Sequence, residues 1–411
     1  MNDTPVRKIP YEEMLEKHPE FAGVISKKNW DFIGHSDGRT LEFFQNQWVE
    51  NAKKNIRRGW WKKFGPARKD CFKLGWNKAI IGIGAGASFN KNKHVLKQII
   101  DHDGVKDFQE RNFLTIASNH MFKPLLKMGI IPDFVMVADA SDVVLDQLTN
   151  EVPAEGQNTI LLAGIHCSPR LIKRWARQGR EIRFYLTTSQ GIPEAFEEAT
   201  GQNAKDFMIL QGGNVINSAW SIGMMVFRSS VFMAVGNDLS FPLKSNVEEN
   251  RKAYYADGDY TTNAAKTGTG RDEASSQKMW MGFNLRRQSL IMLDTNKRYA
   301  IGIEPVGTSH TLWVYKTWLE ANVLGNSKGN IPYHYFNCSE GGIAGVMCRD
   351  DSDEGLNNQS NWFMMDEISP RWHTRMLEDA VGEFLKAKDA MKWRTEVRRR
   401  ETHTSALIAT A

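Results

Sequence analysis

The sequence predicts an α/β fold built on a mostly parallel, doubly wound sheet. Short apolar segments alternate with segments of helical spacing through most of the 411 residues. Apolar runs of this kind are typical of strands that are buried on both faces, because helices cover both sides of a parallel sheet. Several of these runs end in a polar residue, and the first ends in a glycine-rich loop. Together they predict a sheet with a polar edge at the carboxyl ends of its strands.

The first buried strand is predicted within residues 78–89, which read KAIIGIGAGASF. The strand ends in a loop with Gly82, Gly84, Gly86 and then Ser88 at every second position. Glycine lets the backbone come close to an anion, and the helix predicted after the loop would add the positive end of its dipole. The spacing is neither G-x-G-x-x-G nor a Walker A loop. A loop whose N–H groups bind phosphate and a plain strand–helix turn therefore both stay open.

The later strands also end in polar residues. These strands are predicted at Phe113–Ala117, Phe134–Ala138, Thr159–Ala163, Ile182–Leu186, Ser230–Val235 and Tyr333–Phe336. Polar side chains with ligand-binding chemistry follow four of them, namely Asn119, Asp139, Asp238 and Glu340. Because the carboxyl edge of a parallel sheet is where ligands bind, the pattern predicts a Rossmann-like sheet with its site on this edge.

Each acidic residue on this edge has a chemical interpretation. Asp139 could hold a Mg²⁺ ion that bridges phosphates or could bind a ribose hydroxyl, and the alternative is a helix N-cap. Asp238 is predicted as a metal ligand or as the base that activates an acceptor. Glu340 precedes Gly341 and Gly342, and a carboxylate on such a turn suits contact with a substrate hydroxyl or general-base work. Asp238 and Glu340 are therefore the candidate catalytic residues.

The segments on either side of the sheet are predicted to be helical. Residues 1–75 form an N-terminal helical appendage, and residues 76–348 form the Rossmann-like domain. Residues 349–411 form a C-terminal extension with an amphipathic helix from about residue 371 to residue 400. Within the domain, the polar segment 244–278 is predicted as a mobile loop, which suits either a lid over a ligand or a surface excursion.

Basic residues concentrate in two runs, 53–73 and 386–400. The first run is preceded by Trp48 and contains Trp60, Trp61 and Phe64. Basic residues interleaved with aromatic ones suit a phosphate backbone and stacked bases. The alternative is a pair of solvated helix faces whose aromatic side chains pack inward. Nucleic acid as a partner and an ordinary solvated surface therefore both stay open.

The composition is that of a globular protein in a reducing compartment. Hydrophobic residues make up 41%, charged residues 25%, and the net charge is +5. No apolar run approaches the ~20 residues that a membrane helix needs, and the first residues lack the apolar core of a signal peptide. The four cysteines are scattered without a C-x-x-C pair, which predicts free thiols and disfavours a zinc site. We therefore expect a cytoplasmic protein without a membrane span.

Five ordered motifs between residues 78 and 345 resemble a superfamily of Rossmann-like transferases. They are GIGAGASF, ASNH, LLKMGIIPDFVMVAD, VFMAVGNDLSFP and YFNCSEGGIAG. The superfamily includes the bacterial motility accessory factors, a group of flagellin glycosyltransferases, and the archaeal 6-hydroxymethylpterin diphosphokinase-like proteins. The last two motifs look like its GxDLA and N-x-x-E-G-G segments. The fold also resembles that of bacterial sialyltransferases.

The resemblance implies a nucleotide-dependent transferase whose donor is a nucleotide sugar or ATP, with Mg²⁺ as a further ligand. The residues it assigns to the donor are Gly82, Gly84, Gly86, Ser88, Asn119, Asp139, Gly341 and Gly342. A glycosyltransferase is the favoured function. The alternatives are an ATP-dependent diphosphokinase acting on a pterin-like alcohol, and a nucleic-acid-binding or base-modifying protein. The acceptor stays unknown.

Overall fold

The computed structural model describes most of the chain. The described residues are 10–17, 27, 45–104, 106–148, 154–189, 191–242, 256, 284–292, 299–307, 310–326, 333–348 and 362–389. Nearly all of the predicted loop at 244–278, and residues 390–400 of the second basic run, lie outside them. Within this part of the chain, no helix combines the length and the apolar character that crossing a membrane requires.

Nine of the described strands form one sheet, and every pair in it is parallel. The strands are β1 (Ala79–Ile83), β2 (Phe113–Ser118), β3 (Phe134–Val137), β4 (Ile160–Gly164), β5 (Ile182–Thr187), β6 (Met208–Ile209), β7 (Val231–Val235), β11 (His334–Asn337) and β14 (Trp372–Thr374). Their order across the sheet is β14-β11-β7-β1-β2-β3-β4-β5-β6. The predicted doubly wound, Rossmann-like α/β fold is confirmed.

The order of the strands reverses between β1 and β7. From β1 the chain adds β2 to β6 on one side, and it then returns to the other side of β1 for β7, β11 and β14. In register, Ile80 of β1 lies between Leu114 of β2 and Phe232 of β7. In open parallel sheets the crevice outside the carboxyl ends of the strands at such a reversal is the usual ligand site.

The remaining strands form two small antiparallel sheets. β8 (Phe241–Pro242), β10 (Tyr299–Gly307) and β9 (Asn284–Met292) lie side by side in that order. β9 and β10 pair antiparallel along their whole length, from Asn284 opposite Gly307 to Met292 opposite Tyr299. β12 (Val346–Cys348) pairs with β13 (Trp362–Met364).

Helices flank the large sheet. In chain order they are α1 (Tyr11–Lys17), α2 (45–57), α3 (Trp60–Phe64), α4 (Ala67–Asp70), α5 (Phe89–Asp103), α6 (Phe122–Lys127), α7 (Val144–Leu148), α8 (Pro169–Arg177), α9 (Ile192–Thr200), α10 (Val215–Met225), α11 (His310–Asn326), α12 (Met365–Ile368) and α13 (377–389). Local signals set several of their ends. Asn214 caps α10 by accepting from the Asn217 N–H, and Ser168 caps α8, whose first residue is Pro169.

The two faces of β1 pack against different helices, because successive side chains of a strand point to opposite faces. Ile81 and Ile83 share a buried cluster with residues of α5 and α13. Ile80 shares another with residues of α10 and α11. All five residues of β1 are buried, so the central strand is covered on both sides, as its apolar sequence predicts.

The flanking segments of the chain also pack on this sheet. Trp61 of α3 and Phe64 lie in a buried cluster with residues of β3, β4 and β5, so these aromatic side chains face inward. In the segment predicted as the C-terminal extension, β14 pairs with β11. The predicted helix start near residue 371 is wrong, because Trp372 and Thr374 are buried strand residues and the helix begins at 377.

Candidate functional site

The glycine-rich loop after β1 is bonded along its length to the loop after β7. The Gly84 N–H donates to the Val235 carbonyl and the Gly86 N–H to the Gly236 carbonyl, each at 2.8 Å. The Ser88 N–H donates to the Asp238 carboxylate at 2.8 Å. Three of the N–H groups of residues 84–88, which are the candidate phosphate ligands, are therefore hydrogen-bonded within the protein.

The glycines of this loop are required by the close approach of β7 and its loop. A Cβ on Gly84 would lie 2.9 Å from the Gly236 carbonyl carbon, and one on Gly86 would lie 2.7 Å from the Gly236 oxygen. A Cβ on Gly82 would lie 2.8 Å from the ring of Phe232. Real Cβ atoms essentially never come this close to other atoms. Packing within the protein therefore accounts for all three glycines.

Asp238 lies at the N-terminus of α5. Its side chain is 5% exposed and accepts hydrogen bonds from both the N–H and the hydroxyl of Ser88. A carboxylate at this place stabilises a helix, because it pairs with free N–H groups and with the positive end of the dipole. The protein's own carboxylate thus occupies the position predicted for a ligand phosphate. The catalytic role of Asp238 stays a prediction.

The surface of this loop lies at residues 85–87, which are half-buried. Within the described chain, no acceptor is paired with the N–H groups of Ala85 or Ala87. Ala256, from the segment predicted as a mobile loop, donates its N–H to the Ala85 carbonyl at 2.8 Å. The Asn90 amide donates to the Ala256 carbonyl at 2.8 Å. Residue 256 therefore contacts the loop at the point where a ligand would approach it.

Glu340 follows β11 and faces the first turns of α5. Its φ of 52° is in the left-handed region, which residues other than glycine rarely adopt. Burial raises the pKa of its half-buried carboxyl, and the charges of Lys91 and His94 and a hydrogen bond from Asn92 oppose that rise. The Lys91 Nζ donates to the Glu340 carbonyl at 2.8 Å. A strained backbone and a raised pKa at a strand end are typical of functional carboxylates.

The glycines after Glu340 bring its loop against Asp238. Gly342 has a φ of 84°, and a Cβ there would lie 2.7 Å from the Asp238 carbonyl carbon. Gly341 is buried beside it. The fold therefore brings together the loops after β1, β7 and β11, which carry the predicted site residues of the first, fourth and fifth sequence motifs.

Asn119 and Asp139 lie at the carboxyl ends of β2 and β3. The Asn119 amide donates to the Gln147 side chain at 2.6 Å. Asp139 is exposed and accepts from the Ser141 N–H at 2.7 Å, which is the geometry of a local turn. Neither side chain forms a recorded hydrogen bond with Ser88, Asp238 or Glu340. Among the described residues, no group of three acidic, histidine or cysteine side chains is placed to hold a metal ion, and Mg²⁺ binding at Asp139 stays a prediction.

Helix α2 covers the carboxyl ends of β3 and β4. The Asn51 amide donates to the carbonyls of Ala140 and His166 at 3.0 and 3.2 Å. The Asn55 amide donates to the carbonyls of Ile165 and Cys167 at 2.8 and 2.9 Å. The sequence motifs do not reveal this contact, because the two asparagines lie more than 80 residues before the loops that they bond. Part of the polar edge is therefore closed by the N-terminal segment.

His166 lies under this helix. Its ring is buried, its Nε2 lies 2.9 Å from the Ala138 carbonyl, and its centroid is 5.2 Å from that of Trp48. Burial lowers its pKa to about 4, so the imidazole is neutral at physiological pH. The contacts of this ring with the Ala138 carbonyl and with Trp48 give His166 a structural role.

A network of buried amides supports the site from below, and sequence reasoning missed it. The Asn237 amide donates to Asn217 and to the Tyr335 hydroxyl, each at 3.3 Å. The Asn237 N–H donates to the Ser339 hydroxyl at 3.0 Å. Asn214 donates to Asn237 at 3.2 Å. These bonds connect α10 to the ends of β7 and β11, and the Gly-Asn pairs at 213–214 and 236–237 are the sequence signal that could have found them.

A buried ion pair on α11 holds the far end of the Glu340 loop. Lys316 and Glu320 lie 2.6 Å apart with side chains that are 3% and 2% exposed. Glu320 also accepts from the Gly345 N–H at 2.7 Å. Burial raises the pKa of Glu320, and the ammonium of Lys316 opposes that rise. The pair thus anchors the turn through which the chain leaves the candidate site.

The chain was also compared with known protein families. Residues 46–243 match the MptE-like model, described as 6-hydroxymethylpterin diphosphokinase MptE-like. This region of the chain is therefore similar to that family. The match contains α2 to β8, including the loops after β1 and β7, and the resemblance predicted from the sequence is confirmed.

One solved structure with a similar fold is the MAf glycosyltransferase from Magnetospirillum magneticum AMB-1. It is 12% identical, with a TM-score of 0.46, over 83% of this chain and 42% of that one. This chain thus covers less than half of the length of that protein. A comparison with curated proteins gives no match.

Proposed function

We propose that the protein is a nucleotide-dependent transferase whose donor binds outside the carboxyl ends of β1 and β7. The observation that carries the proposal is the MptE-like match over residues 46–243, a family whose description names a diphosphokinase. The reversal of strand order between β1 and β7 supports the location, because ligands of open parallel sheets bind at such a reversal.

The available groups at this place suit a phosphate-bearing donor. The N–H groups of Ala85 and Ala87 lie on the surface of the loop after β1, and the side chains of Lys91 and His94 flank Glu340 nearby. Backbone N–H groups and cations are the usual partners of phosphate oxygens. In this proposal Gly82, Gly84 and Gly86 act indirectly, since they allow the two loops to interlock and so fix the position of residues 85–87.

We assign to Glu340 the role of the general base that activates the acceptor hydroxyl. Its raised pKa makes the carboxylate a better base near neutral pH. It would accept the proton of the acceptor hydroxyl while that oxygen attacks the donor. Asp238 suits this role less well, because its carboxylate is buried and bonded to Ser88.

A sugar nucleotide and ATP both fit a site that binds phosphate groups and activates an acceptor hydroxyl. In glycosyl transfer the acceptor oxygen attacks the anomeric carbon, and a nucleoside mono- or diphosphate leaves. In diphosphate transfer the oxygen attacks the β-phosphorus of ATP, and AMP leaves. The sequence favours the sugar nucleotide, whereas the description of the matching family favours ATP with a pterin-like alcohol. When bound, Mg²⁺ would neutralise phosphate charge in either reaction.

Differential scanning with CMP-, UDP- and GDP-sugars and with ATP, each with and without Mg²⁺, tests the proposal. A ligand present at about 100 times its Kd stabilises the folded protein by about 2.7 kcal/mol. Any donor that raises the melting temperature is then incubated with acceptors, and the released nucleotide is identified by chromatography. AMP supports diphosphate transfer, and a nucleoside mono- or diphosphate from the sugar nucleotide supports glycosyl transfer. The absence of any shift with every donor would overturn the proposal.

Glu340→Gln tests the catalytic assignment once a donor is known. We expect kcat to fall by about 10²-fold to about 10⁴-fold, the usual contribution of a general base, with the donor-induced thermal shift unchanged. Glu198→Gln, at an exposed position of α9, is the control for the same chemical change, and it should leave kcat unchanged. Equal activity of wild-type protein and Glu340→Gln contradicts the role of Glu340.

A further inference from the structure

Two aromatic side chains stand on the surface at the amino ends of the central strands. Among the described residues, the exposed large hydrophobic side chains are Phe72, at 45%, and Trp76, at 58%. The Lys73 Nζ lies 5.5 Å from the Phe72 ring centroid and 5.7 Å from that of Trp76. The Arg228 guanidinium lies 5.7 Å from the Phe72 ring. We call Phe72, Lys73, Trp76 and Arg228 the aromatic–cation patch.

The backbone beneath the patch is rigidly held. The Lys73 N–H donates to the Val226 carbonyl at 3.1 Å, and the Gly75 N–H donates to the Phe227 carbonyl at 2.8 Å. Lys73 and Arg228 both have left-handed backbones, with φ of 62° and 57°. Such conformations cost about 1 kcal/mol or more each and persist only where the surroundings impose them. The backbone that carries the patch is therefore held in place by the loop before β7.

The patch is separate from the proposed donor site. Trp76 precedes β1 and Arg228 precedes β7, so both lie at the amino edge of the sheet. Five strand residues at about 3.3 Å each place about 16 Å between this edge and the loop at Gly84. The inference drawn from the patch is therefore independent of the transferase proposal.

The segment that leads to the patch is strongly basic. Residues 53–78 contain ten Lys or Arg and one acid, Asp70, a balance of +9 in a protein of net charge +5. The Asp70 carboxylate is paired with Arg183 at 3.0 Å. Seven of the basic residues are exposed, namely Lys54, Arg57, Arg58, Lys62, Lys63, Lys69 and Lys73. Lys73 belongs to the patch itself, whereas Lys54 and Arg57 belong to α2, the helix that covers the carboxyl ends of β3 and β4.

We propose that the aromatic–cation patch binds single-stranded nucleic acid. A nucleobase would stack on the exposed indole of Trp76, and Lys73 and Arg228 would contact the neighbouring phosphates. Exposed aromatic rings beside cations are the usual platform for unpaired bases. An acidic polypeptide would match the charge and leave the ring faces without planar partners. The aromatic residues singled out from the sequence do not form this surface, because Trp61 and Phe64 are buried.

Fluorescence anisotropy with a labelled oligonucleotide of about 12 nucleotides tests this, in salt from about 50 mM to about 200 mM. Trp76→Ala should weaken binding by about 5-fold to about 100-fold, the effect of losing one stacked base, without changing the slope of log K against log salt. Lys73→Gln should lower the magnitude of that slope by about 0.7, as expected for one lost phosphate contact. Lys173→Gln, at an exposed position of α8, is the matched control and should change neither quantity.

Trp76→Phe keeps a ring at the position and should retain most of the affinity, which separates stacking from a general effect on folding. Equal affinity of Trp76→Ala and wild-type protein would overturn the proposal, as would the absence of binding at the lowest salt. An equal loss of binding to heparin or to vesicles of anionic lipid in Trp76→Ala would also overturn it, because the surface would then recognise a polyanion or a membrane.

Discussion

Substitution of Gly84 by alanine separates the two explanations of the glycine-rich loop. In the structure the added Cβ would meet the Gly236 carbonyl, with its carbon at 2.9 Å. Both partners are backbone, so the overlap can be relieved only by moving one loop away from the other. The bonds from Gly84 to Val235 and from Gly86 to Gly236 would then lengthen or break.

The expected cost is several kcal/mol. Overpacking at a buried site costs about 1–3 kcal/mol, and each weakened backbone hydrogen bond adds about 0.5–1.5 kcal/mol. We therefore expect Gly84→Ala to lower the free energy of unfolding by about 2–6 kcal/mol. Urea titration followed by circular dichroism and by tryptophan fluorescence measures this without any ligand.

Gly382→Ala is the matched control for the same chemical change. Gly382 lies inside α13, and an added Cβ there meets no atom within 4 Å. Alanine is favoured over glycine in a helix interior by about 1 kcal/mol, so this variant should be more stable than wild-type protein. If Gly84→Ala instead unfolds at the wild-type urea concentration and loses only ligand binding, the glycines serve the ligand, and the interlocking of the two loops is refuted as their cause.

Two further predictions concern buried charge. Because burial lowers the pKa of His166 to about 4 from about 6.5 in the unfolded chain, the unfolded state binds more protons between these values, and stability should fall by about 3 kcal/mol as pH drops through that window. His166→Gln should flatten this loss in urea titrations at several pH values, and an unchanged pH dependence would contradict the assignment. Lys316→Met should cost about 3–5 kcal/mol, because it leaves Glu320 buried without its counterion. Adding Glu320→Gln should recover most of the loss, since the amide oxygen still accepts from the Gly345 N–H, and the lack of any recovery would show that packing of the Lys316 stem dominates.

The sequence was sufficient for seven strands of the large sheet and for the class of fold. The predicted strands are short apolar runs bounded by polar or glycine residues, namely β1 to β5, β7 and β11. This pattern predicts strands that are buried on both faces. β6 and β14 were missed, since segments of two and three residues hold too little periodicity to be recognised. Their pairing depends on neighbours that the long-range fold supplies.

The sequence predicted the residues of the candidate site. The hydrogen-bond partners of these residues come from parts of the chain that are far away in sequence. Glu340 lies in a half-buried position beside α5, as its place after a strand suggested. Asp238 was predicted as a metal ligand or as the base that activates an acceptor, and the structure adds that its carboxylate accepts from Ser88, a residue 150 positions earlier. A motif gives the residue type and its local backbone, whereas the partner that uses its hydrogen bonds depends on which strands become neighbours.

The amino-acid sequence by itself determined that this protein forms a parallel α/β sheet with a polar carboxyl edge. Strands that are buried on both faces need apolar runs, and the residues that follow these runs are polar. Only the tertiary structure decided how that edge is used. The return of the chain to the far side of β1 places the loop after β7 against Gly84 and Gly86. The same return places Arg228 beside Phe72 at the opposite edge. Such neighbours follow from strand order, and strand order is a property of the whole chain that no local pattern records.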